Sequence, residues 1–220
     1  MEAVGHRRVE TGIGTAPLST TVTQWVENPT GGRDRGPIAL ARAWLEVLVR
    51  PRRFFASGVA PGDQAPGLVF VMAVVAIEEA TRFALVPGAY PVVADRPLVS
   101  GIVALVVAVG FVAPLALHFA AAIATLGLVP LVEDRAGVSE TVQVIAYATA
   151  PCVFAGIPFP PLRIACTAYG AVLLVVGIAE VHGTSLARAA VAGALPAAFV
   201  FGYAYTFRGF TAMEALGVLG

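Results

Sequence analysis

The sequence predicts an all-α integral membrane protein, a bundle of five transmembrane helices preceded by an amphipathic helix at the membrane surface. Of its 220 residues, 58% are hydrophobic and only 13% are charged, and the mean hydropathy is +0.82. A soluble domain carries about 25% charged residues, so this chain has too few charges for a surface in water. The net charge of zero excludes a typical nucleic-acid-binding protein, which would present a basic face.

The region before the first apolar segment predicts two different parts. Residues 1–36 are rich in Thr, Gly and charge without periodicity, which predicts a disordered cytoplasmic tail. Residues 37–60 predict an interfacial amphipathic helix and a basic–aromatic linker. The helical stretch IALARAWLEVLVR is too short to cross a bilayer, and Trp44 suits the headgroup level. We expect Phe54 and Phe55, which follow two arginines, to lie at the same depth.

Residues 61–210 predict the transmembrane domain, and residues 211–220 a short C-terminal tail. The second apolar segment is too long for one upright helix and too short for two spans with a loop. It therefore predicts a long tilted helix that bends at Pro114. The last segment carries small residues four apart, such as Ala189 and Gly193, which let helices approach closely. The predicted spans are residues 67–86, 98–130, 139–157, 162–181 and 186–207.

The distribution of arginine predicts the orientation in the membrane. All 14 basic residues are Arg, and cytoplasmic loops normally carry the excess of positive charge. With the N-terminus inside, ten arginines fall in cytoplasmic segments and three, Arg96, Arg163 and Arg208, in outside segments. The sequence thus favours a multi-pass protein of the cell membrane with a cytoplasmic N-terminus and an outside C-terminus.

The first span contains three ionisable residues, Glu78, Glu79 and Arg82. At about 100° per residue, Arg82 projects about 40° from Glu78, between the two carboxylates. Each charge costs about 2.5–3.5 kcal/mol at the bilayer centre. The face that carries them must therefore be covered by other helices. We expect His118 on the second span and Tyr147 on the third to complete this polar cluster.

Three interpretations of the polar cluster remain open. We favour an ion pair that fixes helix packing. The alternative is a proton- or ion-handling site of a small-solute or ion transporter. In a third interpretation, Glu78-Glu79 and Arg82 resemble the first motif of the CAAX-type intramembrane proteases, which activate a water with two Glu and later His residues. Here the Arg is one residue too close and a second intramembrane His is missing.

No motif in the sequence predicts a cofactor, a metal site or a catalytic set. The chain lacks a metal-ligand cluster, a phosphate loop and a nucleophile elbow. Its two cysteines, Cys152 and Cys166, lack the spacing of a zinc or redox motif, and both lie in apolar segments. We interpret them as small buried residues, with a disulfide between them left open as the alternative.

Several short motifs, in order along residues 40–206, resemble the Yip family of Ypt/Rab-interacting membrane proteins. A proline and an aromatic pair precede the first span at Arg50-Pro51-Arg52-Arg53-Phe54-Phe55. The stretch from Tyr147 to Pro151 resembles the family's Y-x-x-x-P sequence. The segment joining the fourth and fifth spans resembles the family's at Gly177, His182, Gly183, Ser185 and Arg188-Ala189.

The Yip resemblance implies a helical membrane bundle with a cytosolic N-terminus and a role in binding or scaffolding rather than catalysis. The expected partners are the lipid bilayer and other membrane proteins or a second copy of the chain. Eukaryotic members are tied to Rab GTPases and vesicle traffic. The acidic–aromatic and glycine-rich motifs of those members are missing here, which argues against a Rab-type GTPase as partner. The sequence thus predicts a non-enzymatic membrane adaptor or organiser of the prokaryotic type.

Overall fold

The structure is a computed structural model that describes residues 36–207, all of whose regular elements are helical. The predicted C-terminal tail and all of the predicted N-terminal tail except Gly36 lie outside the described residues. A π-helical segment, Ala108–Val112, joins α4 to α5, and another, Ala198–Phe207, continues α8. A 3₁₀ helix, Ala150–Phe154, follows α6. The helices are α1 Pro37–Val49, α2 Pro51–Gly58, α3 Ala65–Leu85, α4 Pro97–Val107, α5 Ala113–Leu128, α6 Val138–Ala148, α7 Pro160–Val181 and α8 Leu186–Ala197.

Proline marks the beginning of most of these helices. The first or second position is a proline in α1, α2, α3, α4 and α7. The missing N–H of proline costs nothing there, because the first turn of a helix has no intrahelical partner for it. The prolines of the sequence therefore set the helix boundaries without breaking the helices that follow.

Three helical stretches of the described residues are long and apolar enough to cross a membrane, Pro97–Leu128, Pro160–Val181 and Leu186–Thr206. The prediction of an all-α membrane protein is confirmed at this level, whereas five spans are not confirmed. The first predicted span forms α3, which is 21 residues long but carries three ionisable residues. The third predicted span divides at Thr149 into α6, with 11 residues, and the 3₁₀ helix.

Helix α6 is the centre of the bundle. Every residue from Thr141 to Ala148 is buried, and α6 contacts α3, α5 and α7. Such a helix needs no polar face, because it meets protein on all sides. Its one amide, Gln143, donates from Nε2 to the carbonyl of Ala60 at 2.7 Å and accepts from the Ala60 N–H at 3.1 Å. This exchange ties the loop before α3 to the core.

The second predicted span is one continuous helical stretch of 32 residues. The regular α-helix is interrupted by the π-helical segment Ala108–Val112, which ends two residues before Pro114. The N–H of Ala113 bonds to the carbonyl of Ala108, five residues back. This wider turn lies where the proline ring would crowd the preceding carbonyls. Pro114 thus marks an irregular turn in the span.

The two helices before α3 are fixed to the bundle. The indole of Trp44 donates to the carbonyl of Ala150 at 2.8 Å and packs edge-on against Phe154. Phe54 and Phe55 are 0% and 2% exposed. Both rings thus face the protein interior, and their depth in the membrane stays a prediction. Their rings fill the core because α2 packs against α7.

Candidate functional site

Four buried ionisable side chains form one cluster between α3 and α7. Glu78, Glu79 and Arg82 on α3 are 5%, 4% and 7% exposed, and Arg163 on α7 is 1% exposed. We call these four residues the buried charge cluster. It contains two carboxylates and two guanidinium groups, so its formal charges balance. A burial this complete is tolerated only when each charge has a partner.

The first pair of the cluster lies within one helix. The guanidinium of Arg82 donates from Nε to Oε2 of Glu79 at 3.1 Å, and its Nη2 donates to the same oxygen. Its Nη1 donates to the carbonyl of Ala89 at 3.1 Å. Arg82 therefore holds a carboxylate three residues back on α3 and, at the same time, the loop that follows the helix.

The second pair joins two helices that are far apart in sequence. Nη1 of Arg163 lies 4.0 Å from Oε1 of Glu78 and donates to the carbonyl of Tyr205 at 2.8 Å. Arg163 thus contacts α3 and the π-helical continuation of α8 together. By sequence, Arg163 counts among the arginines of the outside segments, and only Arg82 is available to balance two glutamates. The structure buries Arg163 as the fourth residue of α7, so it is not a charge of a loop and balances the second glutamate.

The buried charge cluster lies towards one end of the bundle rather than at its middle. Arg82 is three residues from the C-terminus of α3, and Arg163 is three residues from the N-terminus of α7. At 1.5 Å per residue, both are about 5 Å from those helix ends. The cost of placing charges at the bilayer centre therefore overstates the cost here. We call this the Arg163 end, and the opposite end, where α7 finishes, the His182 end.

A small cavity adjoins the two glutamates. It has a volume of about 80 Å³, enough for several water molecules. Residues of both π-helical segments line it, including Ala108, Val112 and Tyr205. Since π-helical turns place side chains differently from an α-helix, both irregular segments shape the surroundings of the carboxylates.

The other two members of the predicted polar cluster lie elsewhere. His118 is exposed on the outside of the bundle, with Nδ1 2.7 Å from the carbonyl of Pro114. Tyr147 is fully buried, and its ring lies edge-on between Phe54 and Phe70, with centroids 4.9 and 5.1 Å away. Neither residue lines the cavity beside the glutamates. The structure therefore joins Glu78, Glu79 and Arg82 with Arg163 instead.

A glycine lets the loop before α7 reach α3 at the cluster. A Cβ atom at Gly156 would lie 2.2 Å from the carbonyl oxygen of Glu78. Real Cβ contacts are not this short, and the atom in the way belongs to the backbone. Gly156 therefore brings the beginning of α7, and with it Arg163, against the helix that carries the glutamates.

The motif residues that resemble the family lie at a close helix contact and at the ends of helices. A Cβ atom at Gly177 would lie 2.8 Å from a Val144 methyl group and 2.9 Å from the Phe55 ring. Pro151 is the second residue of the 3₁₀ helix after α6. Gly183 has φ +60° and ends α7, a left-handed position that favours glycine. Ser185 caps α8 by accepting from the N–H of Arg188 at 3.3 Å, and the Arg188 side chain is exposed.

His182 forms a second, uncharged polar contact at the opposite end of the bundle. Its Nε2 lies 3.2 Å from Oγ1 of Thr141, and the side chain is 2% exposed. Burial lowers the pKa of His182 from 6.5 to about 4, while Glu140 raises it and Arg135 lowers it less strongly. The imidazole is therefore neutral at pH 7 and serves as a hydrogen-bonding link between α6 and the end of α7.

Both cysteines are buried free thiols. The interpretation of Cys152 and Cys166 as small buried residues is thus confirmed, and the structure contains no disulfide between them. Within residues 36–207, no group of three or more His, Cys, Asp or Glu residues could hold a metal ion.

The three apolar helical stretches, together with four charged side chains buried between helices, are typical of an integral helical membrane protein. The model of the Yip1 domain family matches residues 45–207 of the 220-residue chain. The chain therefore belongs to the Yip family, which confirms the resemblance read from its motifs. Comparison with curated proteins and comparison with solved structures each gave no match.

Proposed function

We propose that this protein is a non-enzymatic membrane adaptor or organiser, built on a five-span bundle. The observation that carries the proposal is the pairing of the two buried glutamates, Glu79 with Arg82 and Glu78 with Arg163. Each of these carboxylates is held by a guanidinium group inside the bundle, and a buried charge needs such a partner to be tolerated. The cluster thus acts in helix packing, which fits a family role in binding.

Membership of the Yip family supports the same proposal. The motif residues of the sequence serve as a close helix contact, a helix end and a helix cap. These are ways to hold a bundle in one shape, as a scaffold requires. In this proposal, the partners are other membrane proteins or a second copy of the chain, and neither a cofactor nor a Rab-type GTPase is involved.

The proposed topology has five spans in the cell membrane, with the N-terminus in the cytoplasm and the C-terminus outside. Arg163 is buried in the bundle, so it no longer counts as a loop charge. The outside segments then retain two arginines, Arg96 and Arg208, against ten inside. The stronger asymmetry supports the orientation.

Crosslinked pull-down of the full chain from native membranes tests the proposed function. The matched variant carries Glu78→Leu and Arg163→Leu together, which removes both partners of one pair and leaves the net charge unchanged. We expect wild type and double variant to capture the same reproducible membrane proteins or the same second copy. Failure of the wild type to capture any reproducible partner would overturn the adaptor role.

Liposomes distinguish the adaptor from the transporter and the protease. The purified chain is reconstituted and exposed to a proton or sodium gradient, and separately to a membrane-embedded peptide. We expect neither flux nor cleavage above that of empty liposomes. Flux or cleavage that Glu78→Gln or Glu79→Gln abolishes would contradict the proposal and favour one of the two alternatives.

A further inference from the structure

Helix α4 stands apart from the bundle and leaves a groove at its side. No residue of α4 is buried, although α4 belongs to the most apolar span of the described residues, with mean hydropathy 2.6. The groove between α4, α3 and the loop before α4 has a volume of about 880 Å³. This is within the range of small-molecule binding sites in proteins.

One wall of the groove is a row of valines. Val99, Val103 and Val107 are spaced four residues apart on α4, and Val112 continues the row. Residues four apart lie on one face of a helix. The row from Val99 to Val107 is about 12 Å long, close to the hydrocarbon depth of one leaflet. It therefore offers a lipid-facing track for an extended hydrocarbon chain.

The other end of the groove is polar and carries an excess of positive charge. Glu79, Arg82 and Arg96 line it, two guanidinium groups against one carboxylate. Arg82 already pairs with Glu79. Arg96 is the N-cap residue of α4 and forms no side-chain hydrogen bond or ion pair with any residue in the described range. The neighbouring Asp95 does not line the groove.

We propose that this groove binds an anionic phospholipid taken from the leaflet at the Arg163 end. The headgroup phosphate lies on the guanidinium of Arg96, and one acyl chain lies along the valines of α4. Arginine binds phosphate oxygens through two parallel N–H donors. A groove that is positive at the membrane surface and apolar below it matches the two ends of a phospholipid. A second copy of the chain that packed its own apolar helix into the groove would leave the guanidinium of Arg96 without an anionic partner, so a lipid fits the groove better.

Lipid retention by the purified full chain tests the headgroup contact. The chain in detergent is titrated with phosphatidylglycerol and, in parallel, with phosphatidylcholine, and bound lipid is counted by native mass spectrometry. We expect preferential binding of phosphatidylglycerol, about tenfold weaker in Arg96→Gln and only partly restored in Arg96→Lys, which keeps the charge but not the two parallel donors. The matched control is Arg135→Gln, which removes an exposed arginine of the α5–α6 loop and leaves the preference unchanged.

The valine wall is tested by filling it. Val103 and Ile102 are adjacent on α4 and both 56% exposed, but only Val103 lines the groove. We expect Val103→Trp to reduce phosphatidylglycerol binding and Ile102→Trp to leave it unchanged. Both variants place the same indole on the same helix at positions of equal exposure, so a difference between them reports the groove.

Three results would overturn the lipid site. Equal binding of both lipids by the wild type would show only a nonspecific lipid layer. Equal loss in Arg96→Gln and Arg135→Gln would show general charge attraction. A lipid-free dimer that Val103→Trp dissociates would show that a second copy occupies the groove. The groove adjoins the Glu79–Arg82 pair, but the variants that test it change Arg96 and Val103, which belong to neither ion pair of the proposed function. These results therefore leave the adaptor role untouched.

Discussion

The two ends of the bundle bury polar groups in different ways. At the Arg163 end, charged side chains are paired with each other, as in Glu78 with Arg163. At the His182 end, neutral groups bond to backbone or to each other, as in Gln143 with Ala60 and His182 with Thr141. Removing one partner of a buried ion pair leaves a charge uncompensated and costs about 3–5 kcal/mol, whereas removing one partner of a neutral hydrogen bond costs about 1–3 kcal/mol. The charged end is therefore the more sensitive to the loss of a contact.

Breaking the pair between the helices has the largest expected effect. Arg163→Leu removes the guanidinium that pairs with the buried Glu78 carboxylate. We expect this variant to lower the free energy of unfolding by about 3–5 kcal/mol. The double variant with Glu78→Leu is expected to regain most of this. Denaturant titration in detergent micelles measures both. Arg52→Leu, which breaks an exposed pair with Glu180, is the control and should cost less than about 0.5 kcal/mol.

Displacing the two helices at the charged end has the next largest effect. Gly156→Ala places a methyl group against the carbonyl of Glu78, which neither backbone can avoid without moving. We expect a loss of about 3 kcal/mol, at the upper end for overpacking. Gly110→Ala adds the same methyl group where no atom lies within 4 Å and should be neutral. An unchanged unfolding midpoint in Gly156→Ala would mean that the approach of the loop to α3 is not tight.

Removing the amide tests the neutral end. Gln143→Leu keeps a similar volume but leaves the N–H and carbonyl of Ala60 without their side-chain partner. We expect a loss of about 2 kcal/mol, since a buried unsatisfied backbone group costs about 1–3 kcal/mol. Faster amide hydrogen exchange at Ala60 provides the measurement specific to this contact. A loss larger than that of Arg163→Leu would reverse the proposed order of the two ends.

Acid has the smallest expected effect and acts at the neutral end. The folded pKa of His182 is lowered to about 4 from 6.5, so the unfolded chain binds the proton first as pH falls. Stability is therefore complete above pH 6.5 and declines towards pH 4. Between pH 7 and 5.5 we expect a loss of about 1 kcal/mol. The variant His182→Asn should remove this slope, and His118→Gln, at an exposed histidine, should retain it.

The apolar segments and the prolines allowed most helices to be predicted from the sequence. The predicted spans at residues 162–181 and 186–207 differ by at most two residues from the helical stretches Pro160–Val181 and Leu186–Phe207. The span predicted at residues 139–157 failed as a single helix. This segment includes Glu140 and Gln143 and is not among the stretches apolar enough to cross a membrane, and its residues from Thr141 to Ala148 are buried by protein.

Three of the four residues of the buried charge cluster could be placed together from the sequence, and the fourth could not. Arg82 follows Glu79 by three residues and Glu78 by four, so helix geometry alone places it beside both. Arg163 is 81 residues away from Arg82 in the chain, and no local pattern distinguishes it from an arginine in a loop. The nearby Gly156 was a possible signal of a close helix contact, because a glycine in a proline-rich turn lets another backbone approach. The sequence does not show that the approaching backbone is that of Glu78.

The sequence by itself determined that this is a helical membrane protein of the Yip family, because hydrophobicity, proline positions and short motifs are local properties. Only the tertiary structure decided which charges meet. In the folded chain, His118 lies on the exposed surface of the bundle and Tyr147 lies between two phenylalanines. Arg163 lies beside Glu78. The physical reason is that burial and ion pairing depend on distances between helices, and those distances are set by side chains far apart in the chain.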